Sequence, residues 1–146
     1  MSLKKNKNRG YQQLRVWKDA VDLYKLNYSI VRKFSYELRR VSSQAIASCD
    51  SIHRNIAEGY CRKSIKEYIQ YLYIALSSLG ESVSGWITYK TAGHITEEEF
   101  EKLDILAYKL ENGMLKLIER LEQKKESQDW IDNLIVKEIN NLYMEE

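Results

Sequence analysis

Apolar residues along this chain recur at alternating steps of three and four, the spacing of one face of an α-helix. Leu14, Trp17, Val21, Tyr24, Tyr28 and Val31 form the first such stripe and predict a helix from about Gln13 to Phe34. Leu38, Val41, Ala45, Ile52 and Ile56 form the second. Gly59 stands where a left-handed residue would stop that helix. Ser64 with Glu67 makes a capping box that opens a third helix, in which each side chain answers a free backbone N–H. Tyr68, Leu72, Ala75, Leu76 and Leu79 carry its stripe towards Thr91, with Gly93 as the stop and Gly80 and Gly85 inside. Thr96 and Glu99 repeat the box, and Glu97 and Glu98 suit the positive end of a helix dipole. Leu103, Leu106, Leu110, Met114, Leu117 and Leu121 then define a fourth helix that fades over residues 123–128. Beyond it Trp130, Ile131, Leu134, Ile135 and Ile139 fit a short fifth helix with one apolar face. The expectation is an all-α, antiparallel up-and-down four-helix bundle with a helical C-terminal extension. Its divisions are a basic flexible arm (1–10), the bundle (11–126) and an amphipathic extension (127–146).

Composition sharpens this picture. The 146 residues include no proline and six glycines, which disfavours a sheet-rich fold with many tight turns. Apolar residues at 44% and charged residues at 30% exclude a disordered chain, and no apolar run reaches the ~20 residues of a membrane span. The N-terminal lysines are not followed by the apolar core of a signal peptide. Two cysteines, Cys49 and Cys61, make no disulfide framework. A soluble, cytoplasmic protein is expected. The net charge of +2 hides an asymmetry: residues 1–66 carry +10 and residues 67–146 carry −8. Two readings fit: an anionic partner such as nucleic acid for the basic part, or mutual attraction of the two parts within or between subunits.

Arg39, Arg40, Arg54, Arg62, Lys63 and Lys66 surround the second helix and its turn into the third. In a bundle Arg39 and Arg40 fall at one end and Arg62, Lys63 and Lys66 near the other, roughly 30 Å away. Such a stripe suits a phosphate backbone; its plain alternative is a solvated face paired with Glu37 and Glu58. Asn55 and Glu58 sit in the last turn of the second helix, where a carboxylate opposes the dipole and Arg62 is the nearest compensation. A hydrogen-bonded corner is favoured there over a ligand contact. Among the eleven tyrosines, Tyr68 lies on the inward stripe and Tyr73 is the expected exposed ring. Cys49 and His53 share a helix face, but no second close pair completes a four-ligand zinc site. Neither a phosphate-binding glycine loop nor a nucleophile with its base and orienting group is recognisable, so no cofactor and no catalysis are expected. The apolar residues of the extension need a groove, on the same subunit or on a partner.

From Tyr11 to about Leu121 the sequence resembles the bacterial four-helix-bundle proteins named after 23S rRNA intervening sequences. Tyr11, Leu14, Trp17 and Ala20 match the family's opening. Asn55, Ile56, Ala57, Glu58 and Gly59, then Arg62, Ser64, Lys66, Glu67 and Tyr68, match its most specific motif. Leu72, Ile74, Ala75, Ser78, Leu79 and Glu81 follow its next helix, with Ser77 where glycine is usual. The resemblance implies a homopentamer arranged as a barrel around a channel, without enzymatic activity. It implies kinship with accessory proteins of diversity-generating retroelements, which associate with a reverse transcriptase and nucleic acid. Ile46 and Ala47 stand in place of the family's basic pair, His53 in place of its proline and Val83 in place of an acidic residue.

Overall fold

A computed structural model describes residues 7–127. A 3-10 helix, Lys7–Gln13, leads into α1 (Arg15–Val31) and so overlaps the end of the segment expected to form an arm. A 3-10 turn, Tyr36–Leu38, precedes α2 (Arg39–Tyr60), followed by α3 (Ile65–Thr91) and α4 (Glu97–Ser127). The extension residues Trp130, Ile131, Leu134, Ile135 and Ile139 lie outside the described residues. Among the described residues no helix is long and apolar enough to cross a membrane.

The helices form a square in which each packs on its two neighbours, with α1 closing against α4. Cross-helix contacts show that neighbours run antiparallel. Ser48 meets Ser82 while Ser51, further along α2, meets Ser78, further back on α3. Asp19 pairs with Lys109 and Lys33 with Glu99 in the same opposed sense along α1 and α4. One end of the bundle therefore holds the start of α1, the α2–α3 turn and the last turns of α4. The α1–α2 and α3–α4 connections lie at the other end.

The core follows the expected stripes in α2, α3 and α4: Ile52, Ile56, Leu72, Ala75, Leu79, Leu103, Leu110 and Met114 are buried. Both predicted caps are present. The Glu67 amide donates to Ser64 Oγ at 3.0 Å. At α4 the exchange is reciprocal, with Glu99 N–H to Thr96 Oγ1 at 3.0 Å and Thr96 N–H to Glu99 Oε1 at 2.9 Å. Gly93, at φ 82°, is the only positive-φ residue among those described and ends α3 as expected.

Three expectations are corrected. The buried face of α1 is Val16, Asp19, Ala20, Leu23, Asn27, Ile30 and Val31; Leu14, Trp17 and Tyr24 flank it and Tyr28 is exposed. The stripe is rotated because two polar side chains are buried with partners. Asn27 donates to the Ala45 carbonyl at 3.1 Å and accepts from Trp86 Nε1 at 2.8 Å. The helix also ends at Val31 rather than near Phe34. Gly59, in turn, does not stop α2 by a left-handed conformation; it is helical, buried and followed by Tyr60. Its role is close approach. A Cβ there would stand 2.7 Å from Tyr71 Cβ and 3.1 Å from Tyr68 Cδ1. The absent side chain lets the end of α2 lie directly on the start of α3.

Candidate nucleic-acid interface

The α2–α3 corner is built by that approach. With Gly59 against Tyr71, the Tyr71 hydroxyl reaches Glu58 Oε1 at 3.3 Å. Arg62 donates to Glu58 Oε1 at 2.9 Å and to the Tyr71 hydroxyl, with its guanidinium 4.8 Å from the Tyr71 ring centre. The compensation of Glu58 by Arg62 is thus formed, and these contacts raise the Arg62 pKa further. Asn55 donates to the Ser51 carbonyl at 2.8 Å and to Ser51 Oγ at 2.9 Å, and Ser51 Oγ meets Ser78 Oγ at 2.9 Å. Glu58 therefore serves the corner itself, while Asn55 bonds back along α2 to Ser51. Lys63 and Lys66 project from it, exposed and without a carboxylate partner among the described residues.

The other basic candidates are placed differently. Arg54 lies two turns up α2, exposed, and is held by Asp50. Burial pushes the Asp50 carboxyl up, but hydrogen bonds from Arg54 and His53 outweigh it and hold it below its ordinary value. Arg39 and Arg40 are exposed at the opposite end of the bundle. Arg39 lies over the Tyr36 ring, 4.3 Å from its centre, and donates to the Tyr36 carbonyl. The structure thus gathers Arg62, Lys63 and Lys66, leaves Arg54 paired with Asp50 further up α2, and leaves Arg39 and Arg40 as a separate group.

Cys49 and His53 are separated in environment. Burial, with the Asp50 charge second, pushes the Cys49 thiol up to about 12, so it is protonated and inert at neutral pH. His53 Nε2 donates to Asp50 Oδ1 at 2.7 Å, and the ring lies edge-on to Trp17 and Tyr24. Tyr68 is inward as expected, its hydroxyl buried without a partner among the described residues and its pKa raised chiefly by burial. Tyr73 is half exposed.

A family model for the 23S rRNA-intervening sequence protein matches residues 12–116. The chain belongs to that family. The match spans α1, α2 and α3 and most of α4, and includes the whole α2–α3 corner. Among solved structures the chain is similar to a protein of unknown function from the S23 ribosomal protein family of Bacteroides thetaiotaomicron VPI-5482. The two share 20% identity at a TM-score of 0.66, over 78% of this chain and 99% of the other, a likeness of fold. No curated protein matches. In this member of the 23S rRNA-intervening sequence family, one cationic group escaped the sequence reading. Arg15, Lys109, Lys116 and Arg120 line a groove between α1 and α4. Three of the four belong to the part of the chain whose charge balance is negative, and that balance concealed them. Their spacing on one face of α4 was the available signal.

Proposed function

We propose that this protein is a noncatalytic, oligomeric nucleic-acid-binding adaptor, with RNA as its ligand and the α2–α3 corner as its contact. One observation carries the reading: Lys63 and Lys66 extend unpaired from a corner that Gly59, Glu58, Arg62 and Tyr71 hold together. Cations on a fixed frame lose little entropy on meeting phosphate. Arg62 presents a guanidinium whose planar fork suits phosphate and whose stacking on Tyr71 fixes its direction. Repetition of the corner around a homo-oligomer, a pentamer in the family's manner, would multiply the contacts. The family's kinship with retroelement accessory proteins makes a reverse transcriptase the protein partner to test first, in the cytoplasm.

The test is an RNA titration of nuclease-treated protein at low and moderate salt, with sedimentation run in parallel. Replacing Arg62, Lys63 and Lys66 by glutamine should weaken RNA binding at least tenfold, flatten its salt dependence and leave the oligomer intact. Loss of assembly with unchanged RNA affinity would instead support a second reading, a protein-interaction scaffold. Charge supports that reading, since Lys33–Glu99 joins the basic and acidic parts within one chain. No RNA binding at low salt would sink the adaptor.

A further inference from the structure

We infer a phosphate-binding site in the groove between the start of α1 and the second half of α4. The groove encloses about 590 Å³, within the range of ligand sites. Its apolar floor comes from Leu14, Val16 and Leu117, where Gly113 admits α1 so closely that an added Cβ would be 3.0 Å from Val16 Cγ1. Four cations line this groove, and among the described residues Asp19 is the only carboxylate that does. Asp19 is buried and already engaged, 3.4 Å from Lys109. Arg15, Lys116 and Arg120 remain, all exposed and without an ion-pair partner among the described residues.

This arrangement opposes the fold's own interest. Lys116 and Arg120 are four apart on α4, so they face each other as like charges and weaken the helix. Arg15 adds a third positive charge from the facing helix, at a first turn where cations are unfavourable. The cap position there, Leu14, offers no side-chain acceptor, and no acidic residue occupies the turn. Each feature is a cost to the empty protein that an anion removes. The match of two guanidinium forks and an ammonium is to a group with several charged oxygens, hence a phosphoryl group. Its source is either a nucleic-acid backbone or a free oligophosphate. The site lies toward the same end of the bundle as the corner proposed above and shares no residue with it.

The deciding experiment titrates the full chain with inorganic tripolyphosphate and with a single-stranded RNA oligonucleotide. Lys116→Gln/Arg120→Gln is compared with Lys90→Gln/Lys102→Gln, which removes the same charge from two lysines paired with Glu97 and Glu98. The groove variant should lose at least tenfold affinity for one or both probes, and the control less than twofold. Loss for tripolyphosphate identifies a free oligophosphate site; loss for RNA alone identifies a backbone site. Equal losses in the two variants would mean diffuse attraction, and they or an absence of binding by either probe would overturn the proposal. Removal of facing like charges should leave the ligand-free groove variant melting at or above the parent. A lower melting temperature would assign the cations to internal pairing and overturn the proposal as well.

Discussion

Asn27 shows how one residue can redirect a helix face. It is fully buried, and both ends of its amide are used: the amino group by the Ala45 carbonyl and the oxygen by Trp86. It links α1, α2 and α3 at one point, and the serine pair Ser48–Ser82 extends the link through the same carbonyl. Pattern reading counts an asparagine as polar and turns it outward, so the α1 stripe was placed on Trp17, Tyr24 and Tyr28. Burial of a polar side chain is legible only from its partners, which lie 18 and 59 residues away. Asn27→Ala should therefore destabilise the protein by at least about 2 kcal/mol, because a cavity forms and the Trp86 N–H is left unsatisfied. Asn27→Leu should recover only part of that loss, since it fills the space but cannot accept. Chemical denaturation of the three proteins measures both values.

At the scale of elements, helix starts were more legible than helix stops. Ser64 and Thr96 announce themselves because a cap is a local contact between residues three apart; both caps are formed, the one at Thr96 reciprocally. Thr96→Ala should cost about 1 kcal/mol, read as a lowered melting temperature. The end of α2 was misread because Gly59 carries two compatible meanings, a left-handed stop or a close approach, and only the position of Tyr71 decides. Gly80 supplies the comparison, as a Cβ there would meet nothing within 4 Å. Alanine favours helix over glycine by about 1 kcal/mol, so Gly80→Ala should stabilise by up to that amount. Gly59→Ala should do the opposite by about 1–3 kcal/mol, because Tyr71 must move. Tyr71 carries Arg62 and Glu58 with it, so the same variant should also disorder the corner, visible by NMR as loss of the Arg62–Glu58 and Arg62–Tyr71 contacts.

For the whole molecule, the bundle was legible because each helix repeats its pattern over many turns, whereas the placement of charge was not. A net balance sums over faces that never meet, so the negative sign of residues 67–146 hid the cations of the α4 groove. The two carboxylates with lowered pKa bear on acid stability. Hydrogen bonds from Arg54 and His53 overcome burial at Asp50; at Glu99 the hydrogen bond from Lys33 leads, with the Thr96 amide next. A carboxylate held below its unfolded value stabilises the fold above that value and loses the contribution as pH falls through the lowered one. Unfolding midpoints should thus be level above about pH 5 and decline below about pH 4. Asp50→Asn together with Glu99→Gln should flatten the decline, and a pH series of thermal melts tests this.

The seam between α2 and α3 also bears on time. These two helices share the most extensive interface in the bundle, joined by a turn of only a few residues. Closing so short a loop is fast, and native contacts near in sequence form before distant ones. The hairpin should therefore assemble as the folding nucleus, with α1 and α4 docking afterwards. The surface proposed to meet RNA would then be the first part of the molecule to exist.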